Sequence, residues 1–197
     1  MPTGVHLRDV REQLFGAAEQ VLREGGPSAL TSRAVTETAG VAKGVLHRHF
    51  ADFDAFLAAF VVDRATRTER RLAELTAGEG TVVGNLAEAV EAVFTSVAVS
   101  VVALITSRDE LRARLRDTWP AGVPVLTEAV ELIAAYLAAE QRLGRVEAGV
   151  EVDGLAPMLI GSAHLLFADR QARPDAESVR QLVRRVVRPA VDSSADN

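Results

Sequence analysis

Apolar residues recur at three- and four-residue spacing along most of the chain, which predicts helices from end to end. The first pattern covers residues 7–24 and is ended by Gly25-Gly26-Pro27. Later patterns predict helices from Asp52 to about Gly78, over 82–107, 108–119 and 125–141, from Asp153 to about Arg170, and after Pro174-Asp175. The stretch 82–107 is rich in valine, but it is too long and unbroken for a strand, so we predict one helix there. With two short helices before residue 50, the sequence predicts an all-α fold of about nine helices.

The two short helices lie on either side of a tight turn near the N-terminus. Thr31 can cap the first helix, and Gly40 supplies the positive φ that a sharp reversal needs. The second helix is predicted over residues 42–49, with Leu46 facing inward and Lys43 elsewhere around the turn. Helix, glycine turn and second helix with basic groups form the helix-turn-helix plan.

The order of residues from Thr31 to Phe50 resembles the DNA-binding segment of the TetR family of one-component transcriptional regulators. The matching positions are Thr31, Arg33, Val35, Ala39, Gly40, Val41, Lys43, Gly44, Leu46, Arg48, His49 and Phe50. The resemblance implies a helix-turn-helix DNA-binding domain at residues 1–50 and a ligand-binding and dimerisation domain at residues 51–197. Beyond Phe50 it is a resemblance of layout only.

The same resemblance implies which side chains meet DNA, because in the family the second helix enters the major groove and the first braces against the backbone. The residues carried over are Thr31, Ser32, Arg33, Lys43, Gly44, Val45, His47 and Arg48. Of these, Lys43, Val45 and His47 would face bases or adjacent phosphates. The alternative is that these groups are only part of the solvated surface.

Several positions depart from the family pattern. Thr36 replaces a small alanine, and Ala42 replaces the serine or threonine that would cap the second helix. Val45 replaces a frequent threonine, His47 a tyrosine and Phe53 a lysine. Because these changes remove phosphate contacts, we predict operator binding that is weaker and less sensitive to salt than is usual in the family.

Charge is distributed unevenly along the chain. The net charge is −5, yet residues 1–50 hold six basic and five acidic groups, which leaves −6 on the remainder. DNA contact is therefore expected only in the first fifty residues. There is no cysteine, no basic-then-apolar export segment, and no uncharged run long enough to span a bilayer, so we expect a cytoplasmic protein. No sequence motif points to an enzyme, a metal site or a cofactor.

The body of the family receives a ligand in a pocket that is usually apolar. By resemblance of layout, the candidate lining residues are Phe60, Phe94, Val97, Val101, Trp119, Tyr136, Met158 and His164. Because the apolar stretches lack a cluster of charges, we expect a small, largely neutral, hydrophobic ligand. The alternative is that these residues simply fill the core.

The last two predicted helices resemble the family's dimer-forming pair. The predicted interface residues are Leu155, Leu159, Ser162, Ala163 and Leu166, with Val179, Leu182, Val183, Val186 and Val187. Two copies of these stripes would build a four-helix bundle across a two-fold axis. The alternative is that both stripes cover the core of a single chain.

The function implied is a homodimeric repressor that binds a near-palindromic, double-stranded DNA operator and is released by a small hydrophobic ligand. One rival keeps the fold but is controlled by a protein partner. Another is a helical binding or scaffold protein with a weakened DNA-binding head, which Phe53 and His47 make conceivable.

Overall fold

The computed structural model describes residues 3–94, 98–120, 122–169 and 172–187, with residues 3–9 described by their backbone alone. Within these ranges the regular structure is entirely helical, which confirms the predicted all-α fold. In chain order the elements are α1 (Thr3–Gly25), a 3-10 turn (Pro27–Ala29), α2 (Ser32–Thr38), α3 (Gly44–His49), α4 (Phe53–Leu72), α5 (Val82–Phe94), α6 (Ala98–Ser107), α7 (Asp109–Leu115), α8 (Leu126–Arg142), α9 (Val152–Leu166) and α10 (Ala176–Val187).

The described ranges hold ten α-helices where about nine were predicted. Within the stretch 82–107, predicted as one helix, they show α5 and α6 on either side of residues 95–97, which lie outside the described residues. Both parts keep the apolar spacing of a buried helix, and no glycine or proline lies between residues 92 and 107.

The chain divides into two compact units. Unit 1 combines Met1–Asp63 with Ser100–Val123, and unit 2 combines Arg64–Val99 with Pro124–Asn197. This division differs from the predicted boundary at residue 50, because the first half of α4 and the segment 100–123 pack with the N-terminal helices. As a functional boundary, residue 50 stays a prediction.

An aromatic cluster holds unit 1 together. The ring centroid of Phe15 on α1 lies 6.1 Å from that of Phe50, 5.7 Å from Phe56 and 5.9 Å from Phe60. Phe50 and Phe56 meet edge to face at 5.1 Å, and the guanidinium carbon of Arg11 lies 4.7 Å from the centroid of Phe50. The cluster fixes α1 against the end of α3 and the start of α4. The core residues predicted for the first three helices are all buried: Leu14, Phe15, Leu30, Val35, Leu46 and Phe50.

In unit 2, α5 packs against α8, α9 and α10, and a buried polar network lies beside it. Glu140 on α8 is fully buried and accepts hydrogen bonds from the Tyr136 hydroxyl at 2.5 Å and from the Gly78 N–H at 3.2 Å. Arg145 Nη1 lies 3.4 Å from the same carboxylate, and the Asn85 amide donates to the Tyr136 oxygen at 2.8 Å. Burial and the bond to Glu140 raise the pKa of Tyr136 well above its usual value. The network ties the loop between α4 and α5 to α8.

Candidate DNA-binding site

The first helix of the motif, α2, is held at both ends by side chains. The Thr31 hydroxyl accepts a hydrogen bond from the Ala34 N–H at 3.1 Å, as the sequence predicted for a cap. At the other end, the Gln13 amide on α1 donates to the Ala39 carbonyl at 2.7 Å, and Gly40 follows with φ +65°. The reversal therefore uses the positive φ that glycine tolerates best.

Thr36 stands where the family usually has alanine, and it is buried. Its hydroxyl donates to the backbone carbonyls of Ser32 at 3.0 Å and Arg33 at 3.1 Å. A buried hydroxyl is costly only when it lacks a partner, so the local helix backbone accommodates this departure.

The second helix, α3, is short. It begins at Gly44 rather than at Ala42, no side chain that the structure describes caps it, and the Val45 N–H donates to the Ala42 carbonyl at 2.8 Å. A later start agrees with the missing hydroxyl at position 42. Leu46 is fully buried beneath the helix, as predicted.

Six of the eight predicted DNA contacts are exposed: Thr31, Arg33, Lys43, Gly44, His47 and Arg48. Val45 is half-buried, so only part of its side chain is accessible. The Ser32 hydroxyl oxygen is enclosed and has no hydrogen-bond partner within the described ranges, so it does not reach solvent in this conformation. The accessible groups include three cations, which suits a polyanionic partner.

Arg33 has a partner on its own helix that the sequence analysis missed. Its Nε donates to a carboxylate oxygen of Glu37 at 2.7 Å, with both side chains largely exposed. The spacing of four residues is the usual signal for such a pair and could have identified it.

Two further ion pairs lie at the start of α4. We call the three residues Asp52, Phe53 and Asp54 the α4 corner. Asp52 caps α4 by accepting from the Ala55 N–H at 2.7 Å, and its other oxygen pairs with Arg114 Nη2 at 2.6 Å. The Ala55 N–H, aided by Arg114, lowers the pKa of Asp52.

Arg108 holds the second of these pairs. Its Nε and Nη2 lie 3.2 and 2.8 Å from the same oxygen of Asp54, and its guanidinium carbon lies 5.8 Å from the centroid of Phe53. Phe53 thus packs beneath an arginine at the position where the family usually presents a lysine. Because 54 residues separate Arg108 from Asp54, no local pattern in the sequence signals this contact.

The predicted ligand-binding residues are divided between the two units. Phe60, Val101 and Trp119 belong to unit 1, whereas Phe94, Tyr136, Met158 and His164 belong to unit 2, and Val97 lies outside the described residues. Phe60 and Val101 are fully buried, and Trp119 is half-buried.

In unit 2, Phe94 stacks on Phe167 with centroids 5.2 Å apart and lies 6.2 Å from the His164 ring. The Nδ1 atom of His164 is buried and has no hydrogen-bond partner in the described part of the chain. Tyr136 is engaged in the Glu140 network instead.

Met158, which was predicted to line the ligand pocket, is 60% exposed. The inward face of α9 is formed by Ala156, Leu159 and Ile160, and Met158 points away from it. Leu165, two turns later on the same exposed face, is 77% exposed.

Five residues predicted for the dimer interface belong to the protomer's own core. These are Leu159, Ala163, Val179, Val183 and Val187, each at most 1% exposed. They pack where α9, α10 and α5 meet. For these five residues the structure favours the alternative that the apolar stripes cover the core of a single chain. The other five remain partly exposed and stay a prediction: Leu155, Ser162, Leu166, Leu182 and Val186.

Within the described ranges, no group of three or more His, Asp or Glu side chains is placed to hold a metal ion. No described helix is by itself long and apolar enough to cross a membrane, although α5 and α6 taken together meet that length and composition.

Two short helices joined by a glycine turn, with basic groups exposed on the second, have the geometry of a helix-turn-helix DNA-binding segment. Residues 14–60 match the model of the bacterial regulatory proteins of the tetR family, which confirms the resemblance seen in the sequence. The chain thus carries the DNA-binding segment of TetR-family transcriptional regulators. No curated protein sequence matches it significantly.

Solved structures share the fold over nearly the whole chain. A TetR-family transcriptional regulator from Agrobacterium tumefaciens is 14% identical with a TM-score of 0.72, covering 94% of this chain and 100% of its own. Reduced NemR from E. coli is 17% identical with a TM-score of 0.74, covering 93% and 98%. FadR from Bacillus subtilis, solved with stearoyl-CoA, is 18% identical with a TM-score of 0.67, covering 89% and 97%.

Proposed function

We propose that the protein is a homodimeric TetR-family repressor that acts in the cytoplasm, binds a near-palindromic operator and is released by a small hydrophobic ligand. The observation that carries this proposal is the family-matched helix-turn-helix, on which Lys43, His47 and Arg48 are exposed. The acidic remainder of the chain supports contact through this segment alone.

In the proposed complex, α3 enters the major groove. Lys43 would reach a guanine edge or a phosphate, and Val45 would touch a thymine methyl group with its exposed part. Arg33 and Arg48 would hold the backbone and set the register. The two heads of a dimer would lie about 34–36 Å apart when they read successive half-sites.

Selection of bound duplexes from a random DNA pool tests this assignment. We expect a near-palindromic sequence to be enriched, and the double variant Lys43→Ala/Arg48→Ala to enrich none. Arg142→Ala, an exposed change on α8, serves as the matched control and should enrich the same sequence. Failure of the unmodified protein to enrich any duplex would favour the helical scaffold instead.

A dimer face is supported by the exposed apolar side of α9. Met158 and Leu165 project from it, and Leu155 and Leu166 are only half-buried beside them. Apolar side chains this exposed, on a helix whose other face is core, are characteristic of a surface that a partner covers. The face differs from the predicted one by including Met158 and Leu165 and by losing the five residues that lie in the core of the protomer.

Sedimentation of two variants tests the dimer. Leu165→Asp places a charge in the proposed face and should yield a monomer, because burying an unpaired carboxylate is costly. Leu143→Asp changes a side chain that is also more than half exposed but lies at the end of α8, and it should leave the dimer intact. A dimer that survives Leu165→Asp at micromolar concentration would exclude this face.

The proposed ligand site lies in unit 2, around the stacked rings of Phe94 and Phe167. The buried, unpartnered Nδ1 of His164 offers one hydrogen bond to a largely apolar molecule. FadR from Bacillus subtilis, which shares the fold, was solved with stearoyl-CoA, an acyl compound with a long hydrocarbon chain.

Native mass spectrometry of the purified protein should reveal a co-purified hydrophobic molecule. We expect the mass adduct to be lost in His164→Leu and kept in Leu143→Ala. Adding the identified molecule should release the selected operator from the unmodified protein. If the operator is released only by a protein fraction, control by a protein partner replaces control by a small molecule.

A further inference from the structure

A groove in unit 1 separates the 3-10 turn before α2 from the last turns of α6. Its volume is about 560 Å³, and its walls include Pro27, Leu30 and Leu104, with the polar side chains of Ser28, Ser107 and Arg108. Small-molecule sites commonly have volumes of this size and combine apolar walls with a few polar groups. The groove is separate from the Phe94–His164 region of unit 2.

Among the described residues that line the groove, only Arg108 carries a charge, and only part of its guanidinium is hydrogen-bonded. Both bonds to Asp54 reach a single carboxylate oxygen, from Nε and Nη2. Nη1 makes no hydrogen bond to any residue that the structure describes, and the side chain is 35% exposed. A partly exposed ion pair of this kind is weak, so the guanidinium can take a second anionic partner.

We propose that this groove binds a small amphipathic organic anion, of the class of medium-chain carboxylates. The carboxylate bonds to Arg108, and the hydrocarbon chain lies along Leu30 and Leu104. The exposed Ser28 hydroxyl at the rim supplies a further donor to the carboxylate, whereas the Ser107 hydroxyl donates to the Leu104 carbonyl at 3.2 Å. Both the charge and the apolar chain are needed, because the described walls of the groove combine one cation with apolar side chains, among them Pro27, Leu30 and Leu104.

The position of the groove links its occupant to the DNA-binding head. Thr31, which also lines it, is the cap of α2, and Arg108 is tied to Asp54 at the α4 corner. An anion that weakens the ion pair between Arg108 and Asp54 therefore acts at two places. One is Thr31, just before α2, and the other is Asp54, just after α3. We expect its binding to change operator affinity, and this consequence rests on the proposed function.

A single introduced cysteine reports occupancy of the groove, because the natural chain has none. Octanoate should slow the reaction of Ser107→Cys with a thiol reagent in a saturable manner. The same octanoate should not slow Ala135→Cys, which places the thiol on the exposed side of α8. Octanol, which has the same chain without the charge, should protect neither thiol. Equal protection by octanol, or equal protection of both thiols, would overturn the proposal.

Two substitutions break the same ion pair but have opposite expected effects. In the Ser107→Cys background, Arg108→Gln should weaken octanoate binding by about tenfold, since it removes a charge-assisted hydrogen bond. Asp54→Asn frees the guanidinium and should tighten binding severalfold. Thermal unfolding checks that both variants fold. If Arg108→Gln does not fold, Asp54→Asn alone tests the site. Octanoate binding that is unchanged or weaker in Asp54→Asn contradicts the proposal.

The occupancy assay contains no DNA, so its outcome is independent of whether an operator exists. Operator affinity is then measured with and without octanoate. If octanoate protects the Ser107→Cys thiol but does not change operator affinity, the binding site is supported and its regulatory role is refuted. Protection in a protein that selects no duplex leaves the site and refutes the proposed function.

Discussion

The Nε atom of Arg33 lies 2.7 Å from a carboxylate oxygen of Glu37, one turn further along α2. The hydrogen bond raises the pKa of Arg33, which remains a cation in any case. Both side chains are exposed, and such pairs within one helix are weak. The proposed DNA surface therefore carries an acidic group that holds one of its few cations and can release it to a phosphate.

Replacing Glu37 with glutamine should strengthen operator binding severalfold. The change removes a negative charge that faces phosphate and releases Arg33, so the salt slope should steepen by up to one unit per head. Electrophoretic mobility shift titrations at several salt concentrations measure both quantities. Arg33→Gln breaks the same pair but should weaken binding and flatten the slope. If both variants changed operator affinity and salt slope in the same direction, Arg33 would make no phosphate contact.

The operator complex should be less sensitive to salt than a phosphate-rich interface would be. Arg33, Lys43 and Arg48 give about six cations per dimer, which predicts a slope of log affinity against log salt near −5. A slope magnitude above roughly 8 would contradict this count. His47→Lys adds one cation per head and should raise the magnitude by about two. Fluorescence anisotropy across a salt series gives these slopes.

Asp52 should contribute stability that depends on pH. Its pKa is lowered in the folded protein by the Ala55 N–H and by Arg114, so the contribution is present above the unfolded-state pKa and is lost as pH falls through the folded-state value. Asp52→Asn should therefore lower the melting temperature slightly near neutral pH, because asparagine keeps the cap and loses only the exposed ion pair, and the difference should shrink below about pH 4. Differential scanning fluorimetry across pH measures it. A melting-temperature difference between the two proteins that grows as pH falls would contradict the lowered pKa of Asp52.

Removing the carboxylate of Glu140 should strongly destabilise the protein. Glu140→Ala leaves Arg145 and the Gly78 N–H without their buried partner, which we expect to cost about 3–5 kcal/mol. Glu140→Gln keeps an acceptor and should cost less. Glu131→Ala removes an exposed carboxylate from the same helix and should change stability by under about 0.5 kcal/mol. Denaturant unfolding at one fixed protein concentration compares them.

Sequence reasoning was most successful where the determining contacts are local. The cap at Thr31, the reversal at Gly40 and the inward position of Leu46 follow from residues within a few positions of each other. The pair of Arg33 and Glu37 was also readable from its spacing, although it was missed.

The helical class, the helix-turn-helix and its exposed basic groups were determined by the sequence itself, since helical periodicity, capping and turn chemistry act over one or two turns. The tertiary structure decided which face of each helix is core and which side chains meet across long stretches of chain. It buried Val183 and Leu159 inside the protomer, exposed Met158, and brought Arg108 to Asp54. A helix with apolar residues on more than one side can be docked in several rotations, and only packing against its neighbours selects one of them.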